Sequence, residues 1–190
     1  MSVALTQPMT LDAFLAWEER QELPWEFDGF APVAMTGGSA AHAAIERNLI
    51  IALGNRLRGR PCQVFTSNLK VFAAGSIRYP DAFVICRPFG RQERVIEDPV
   101  VVFEILSHST ALTDRFIKAR EYLNTPSIRR YVILEQDFIG ATVLERASDQ
   151  WISHAATDGD HLVMPEIDVT LPLSDLYEGL VFDAEAPEQA

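Results

Sequence analysis

Two cysteines, Cys62 and Cys86, are too few in 190 residues for a disulfide framework, and no Cys/His spacing of a structural zinc site is present. Both lie in strand-like runs, so buried, reduced thiols are expected. Long apolar runs are lacking too, none approaching the ~20 residues of a membrane span. The residues after Met1 have neither the basic segment nor the apolar core of a signal peptide, so the expected location is cytoplasmic, with no membrane partner. The chain also has no glycine-rich phosphate loop and no Gly-x-Ser-x-Gly elbow. Basic charge is in deficit. Sixteen Lys and Arg stand against 27 Asp and Glu, for a net charge of −11. That balance argues against a non-specific nucleic-acid coat protein and leaves a nuclease open. Arginines cluster at Arg56, Arg58 and Arg60, at Arg87, Arg91 and Arg94, and at Arg129 and Arg130. Clusters of this size usually form solvated faces; a phosphate track requires that they converge.

What is present is a balanced globular composition, 48% hydrophobic with mean hydropathy near zero. The length suits one domain, with a core from about residue 10 to 177 and a polar end after 183. Thr10 caps an amphipathic helix ending near Arg20. Trp25 to Asp28 alternates as a half-buried strand, Gly29 turns the chain, and Ala31 to Met35 supplies a partner strand. Ser39 caps a helix whose stripe is Ile45, Leu49, Ala52, Leu53 and Leu57, with His42 one turn before Ile45. Gln63 to Phe72 reads as one long strand with a bulge near Ser67 and Asn68. A helix from about Ala111 to Asn124 follows the polar turn at 107–110. Its apolar stripe is Leu112, Phe116, Ala119 and Leu123, with Asp114, Lys118 and Tyr122 forming a second ridge at four-residue spacing. Arg130 to Leu134 is a buried strand, and a hairpin turns at Ser148-Asp149. The irregular mixture implies an α/β fold with a mixed central sheet flanked by helices.

Two runs organise the rest: Tyr79-Pro80-Asp81-Ala82-Phe83-Val84-Ile85-Cys86 and Val100-Val101-Val102-Phe103-Glu104-Ile105-Leu106. Each is a short, β-branched, buried-strand pattern carrying one carboxylate. Antiparallel pairing would set Asp81 and Glu104 at the same end of the sheet. At about 4 Å two carboxylates repel by roughly 4 kcal/mol at an effective dielectric near 20. A shared proton or a cation must relieve this, and a divalent ion with oxygen ligands is the more productive relief. The plainer reading of either acid alone is a strand-end Asp and a Glu bonded to backbone.

The ordered set Trp25-Glu26-Phe27-Asp28-Gly29, Gly38-Ser39-x-x-His42-Ala43, Tyr79-Pro80-Asp81, Glu104-Ile105-Leu106-Ser107-x-Ser109-Thr110 and Asp114-x-x-x-Lys118-x-x-x-Tyr122 resembles the Uma family of restriction endonucleases. That family is a branch of the Pro-Asp…(Asp/Glu)-x-Lys nuclease superfamily. The resemblance runs from about Thr10 to Tyr177. It implies a restriction-endonuclease-like core, a homodimer, DNA as partner and Mg²⁺ or Mn²⁺ as cofactor. It also implies Asp81 and Glu104 as catalytic metal ligands with the Ile105 carbonyl, Glu26 as an auxiliary acid, and Lys118 in place of the lysine whose usual position is Leu106. His42 would stand behind the ligands. The plainer readings are an exposed strand residue for Glu26, a surface i,i+4 partner of Asp114 for Lys118, a capped core histidine for His42 and a packing role for Tyr122. The family often has an acidic residue after the hairpin glycine; here it is Phe30. The function implied is metal-dependent hydrolysis of DNA phosphodiesters. Two alternatives stand beside it. One is a non-catalytic dimeric binding module on the same fold; the other is an unrelated acid-metal hydrolase acting on a small phosphate ester in a closed pocket.

Overall fold

The structure is a computed structural model that describes residues 8–35, 37–107 and 112–182. Helix α1 (Leu11–Glu18) starts where the Thr10 hydroxyl accepts the Ala13 N–H at 3.2 Å, and ends two residues short of Arg20. Strands β1 (Trp25–Phe27) and β2 (Pro32–Ala34) form an antiparallel hairpin. Asp28 Oδ1 accepts the Phe30 and Ala31 amides there, and Gly29 takes φ +88°, a region glycine enters without strain. Helix α2 (Ala40–Leu57) is capped by Ser39, as its sequence implies.

Two large sheets are built from the segments that follow. Strands β3 (Gln63–Thr66), β6 (Ala82–Ile85), β8 (Val101–Ile105), β9 (Arg130–Leu134), β10 (Gly140–Ala147) and β11 (Gln150–Thr157) form a mixed six-stranded sheet in the order β11-β10-β9-β8-β6-β3. Strands β4 (Lys70–Ala73), β5 (Ser76–Arg78) and β7 (Val95–Ile96) join the first hairpin in a five-stranded sheet ordered β2-β1-β5-β4-β7. The run from Gln63 to Phe72 is therefore not one bulged strand. Ser67 and Asn68 lie where the chain leaves one sheet for the other. Pro80-Asp81 lies at the return crossing, between β5 and β6. A hairpin not foreseen in the sequence, β12 (His161–Met164) with β13 (Val169–Pro172), packs with the 3₁₀ turn Leu173–Tyr177 over α2.

Period-two alternation divides the six-stranded sheet into two cores. Ala82, Val84, Val101 and Phe103 face the α2 stripe of Ile45, Leu49 and Leu53. Phe83, Ile85, Val102 and Tyr131 face the other way, toward Val71, Ile96 and the helix between β8 and β9. A third cluster, Phe14, Phe27, Ile77 and Tyr79, anchors α1 on the smaller sheet. No helix among the described residues is long and apolar enough to cross a membrane.

The helix between β8 and β9 departs from expectation. Ala111 lies outside the described residues, as does the polar turn from His108 on. From Thr113 to Lys118 the chain is π-helical, then α-helical as α3 (Ala119–Leu123). Its expected core stripe holds only in its second half: Ala119 is buried and Leu123 packs against the core, but Leu112 is 75% and Phe116 68% exposed, and Asp114, Lys118, Glu121 and Tyr122 are buried. The polar ridge faces inward because buried carboxylates on the sheet offer it partners. The cysteine expectation is also corrected. Cys62 and Cys86, opposite each other beyond the paired ends of β3 and β6, are joined by a disulfide. Strand pairing brings the two together, which a count of cysteines does not reveal.

Candidate active site

Strands β6 and β8 are antiparallel neighbours with Ala82 opposite Phe103, so one further step of the register sets Asp81 opposite Glu104. Asp81 Oδ2 accepts the Ile105 amide at 2.7 Å, which pins the acid to the neighbouring strand. Glu104 falls on the face of Val102, in line for the polar ridge of the π-helix. Glu26, from the middle of β1, is buried rather than exposed. These residues meet in a cavity of about 220 Å³, which Glu26, His42, Asp81, Glu104, Asp114 and Lys118 all line. Ile105 lines it too, and is engaged there through its N–H.

Lys118 sits at the centre. Its ammonium lies 3.0 Å from Glu104 Oε1, 3.1 Å from Asp114 Oδ1 and 3.4 Å from Glu26 Oε1. The surface i,i+4 pair with Asp114 thus exists as a contact but is buried. Tyr122 donates its hydroxyl to the same Glu104 oxygen at 2.9 Å, a polar role beyond packing. His42 Nε2 stands 3.2 Å from Asp81 Oδ2. A Cβ on Gly38 would come within 3.0 Å of the His42 ring, so the glycine gives the imidazole its room.

The electrostatics follow from burial among like charges. Burial raises the Glu104 pKa well above its ordinary value; Lys118 opposes the rise, and Asp114, Asp81 and Glu26 add to it. Burial lowers the Lys118 pKa, but Glu104, Glu26 and Asp114 outweigh it and hold the ammonium charged. The hydrogen bond to Asp81 raises the His42 pKa, against a smaller lowering by burial.

Among the described residues, no group of three or more His, Cys, Asp or Glu is placed to hold a metal ion. What the cavity offers is a hard-oxygen pair, Asp81 and Glu104. Asp114 Oδ1 is also buried there without a hydrogen bond, although the Lys118 ammonium is near it. Magnesium takes one or two carboxylates and completes its shell with water. The residues fit an ion of that kind and not a cation caged by protein.

Reasoning from sequence missed Arg78, Glu121 and the Tyr79 hydroxyl. Arg78 is buried and donates to both Glu121 oxygens and to Glu26. Tyr79 donates to Glu18, which also pairs with Lys70. A signal was there: an arginine inside the apolar run Ile77-Arg78-Tyr79. Four of the clustered arginines are held by carboxylates of the chain itself. Arg56 pairs with Asp175, Arg60 with Asp168, Arg87 with Glu93 and Asp98, and Arg130 with Glu145 and Glu166.

A mixed sheet flanked by helices, with one acid at the head of a strand, a second on its neighbour and a lysine facing the second, defines a restriction-endonuclease-like α/β protein. The model of the Uma2 family, described as "Putative restriction endonuclease", matches residues 11–174, and the chain belongs to that family. The uncharacterised protein slr1290 of Synechocystis is 30% identical over 175 residues, covering 90% of this chain and 92% of its own. A second uncharacterised Synechocystis protein, sll1609, is 27% identical over 158 residues, covering 80% and 89%. A crystal structure from Anabaena variabilis, described as a putative nuclease belonging to DUF820, has the same fold. Its TM-score is 0.71 at 18% identity, covering 90% of this chain and 98% of that one.

Proposed function

We propose that this chain is a nuclease that hydrolyses DNA phosphodiesters with the help of Mg²⁺ or Mn²⁺. The observation that carries the reading is the apposition of Asp81, at the head of β6, and Glu104 on the adjacent β8, with the Lys118 ammonium 3.0 Å from Glu104. Family membership supports it. Asp81 and Glu104 would hold the ion, with the Ile105 carbonyl. Such an ion, when bound, lowers the pKa of water and polarises a phosphoryl oxygen. Lys118 would stabilise the charge that develops on the phosphate as the water oxygen, its proton passing to bulk water, bonds to phosphorus and the bond to the leaving oxygen, which takes up a proton from bulk water, breaks. His42 fixes the Asp81 carboxylate from behind. Tyr122 holds the shared Glu104 oxygen in place.

The test is cleavage of labelled single- and double-stranded DNA at low ionic strength with Mg²⁺ and with Mn²⁺. Wild type should cleave; Asp81→Asn, Glu104→Gln and Lys118→Ala should fall by at least roughly a hundredfold. Wild-type activity no higher than that of Asp81→Asn would favour the second reading, a non-catalytic dimeric binding module. Two observations favour that alternative: the net charge of −11, and the three carboxylates that hold Lys118.

A further inference from the structure

Arg78, at the end of β5, is 1% exposed and heads the fully buried side chains by size. A charge so buried needs partners, and it has them on two different elements. Its Nε and Nη2 donate to the two Glu121 oxygens, each at 2.7 Å, and its Nη1 donates to Glu26 Oε2 at 3.0 Å. Ser76 adds a hydrogen bond to Glu121 at 2.9 Å. Glu26 stands on β1, and its other oxygen accepts the Tyr79 amide and faces Lys118. Glu121 stands on α3, three residues after Lys118 on the same helical run. Arg78 is thus linked to Lys118 twice, once through a carboxylate and once through the helix.

We propose that Arg78 is a positioning residue that keeps the Lys118 ammonium on Glu104. Of the carboxylates around Lys118, Glu26 is the most distant, and it is the one whose charge Arg78 already engages. Without Arg78, Glu26 is a buried carboxylate whose remaining cation is Lys118. The long lysine side chain then swings toward Glu26 and away from Glu104. Only a planar fork satisfies Glu121 with two parallel bonds and Glu26 with a third; a lysine at this position serves one acid or the other. Because Arg78 is shut off from solvent, it cannot touch a substrate. Its effect belongs in turnover and not in substrate binding. The catalytic part of this inference rests on the nuclease reading; the geometric part does not.

The experiment compares Arg78→Met/Glu121→Met with the triple variant that adds Glu26→Gln. Removing Arg78 and Glu121 together leaves no unpaired charge on the α3 side, a replacement that buried ion pairs tolerate. Crystal structures of the double variant should show Lys118 Nζ out of hydrogen-bonding range of Glu104 and turned to Glu26. In the triple variant, with Glu26 neutral, Lys118 should return to Glu104. In Mn²⁺-dependent DNA cleavage, the double variant should lose roughly a hundredfold in kcat. KM should stay within about twofold, and the triple variant should regain most of the loss. Arg78→Lys, which keeps the charge without the fork, should be intermediate in kcat and serves if the double variant does not fold. Wild-type turnover in both Arg78→Lys and the double variant would overturn the proposal. So would a loss that Glu26→Gln does not repair, since Arg78 would then be packing alone. If wild type cleaves nothing, the nuclease reading fails, and the Lys118–Glu104 distance in the two variants decides the positioning claim by itself.

Discussion

Glu104 is where burial and charge conflict most. It is 3% exposed and shares its surroundings with Asp81, Asp114 and Glu26. Its folded pKa lies above the unfolded value, so the neutral carboxyl is the form the fold prefers. The stability this contributes is complete below the ordinary carboxylate pKa and is lost as pH rises through the folded one. Glu104→Gln carries a neutral side chain at every pH and is spared that loss. Lys118 keeps Glu26 and Asp114 as partners in the variant. In the metal-free protein, the melting temperature of Glu104→Gln should match wild type near pH 4 and exceed it toward neutral pH. A gain of about 2–4 °C corresponds to roughly 1 kcal/mol at this chain length. Melting curves over that range check the claim; a difference that stays flat, or that falls with rising pH, contradicts it. Adding Mn²⁺ should then stabilise wild type and not the variant, since a ligand stabilises only the state that binds it.

At the scale of elements, the disulfide and the helix between β8 and β9 carry the argument. Cys62–Cys86 ties the edge strand β3 to β6, the strand that Asp81 precedes, and closes a loop with a sequence separation of 24. Loop-closure entropy for that length is worth about 3 kcal/mol in the unfolded chain. Cys62→Ser/Cys86→Ser, or reduction, should lower stability in urea by up to that amount. Mass spectrometry of the purified protein without reductant should show no free thiol; two alkylatable thiols in the untreated protein would restore the reduced reading. The two acids were legible in the sequence because each interrupts an apolar strand pattern, and pairing follows from those patterns. The burial of Lys118 was not. Helical-wheel reasoning sends Phe116 inward, yet this helix buries acids and a lysine whose partners include Glu104 on the preceding strand and, from far away in the chain, Glu26 and Arg78. The π-helical turn also breaks the 3.6-residue spacing on which the wheel depends. Arg78 was hidden for a similar reason: its meaning rests on Glu26 and Glu121, which the fold alone brings near.

Across the whole molecule, the affinity for DNA that the nuclease reading requires would be limited by a net charge of −11 and by the commitment of Arg56, Arg60, Arg87 and Arg130 to carboxylates within the chain. Each phosphate neutralised by a protein cation contributes about −0.9 to the slope of log affinity against log salt. Among the described residues, the cations lining the cavity are Lys118 and His42, the latter favoured in its charged form by Asp81. Two phosphate contacts give a slope near −1.8, or roughly a tenfold loss of affinity between 50 and 200 mM salt. A protein tracking the duplex with six to ten contacts would lose about 10³ to 10⁵ over the same range. Binding of the non-cleaving Glu104→Gln variant, which keeps Asp81 beside His42, to a short DNA, followed by fluorescence anisotropy across those salt concentrations, separates the two cases. A shallow slope fits a site that grips the strand at the cavity and little elsewhere. A thousandfold loss would mean that the DNA recruits arginines outside the cavity, such as Arg58, Arg91 and Arg129, or opens the ion pairs of Arg56, Arg60, Arg87 and Arg130, and the cavity-centred account of binding would be wrong.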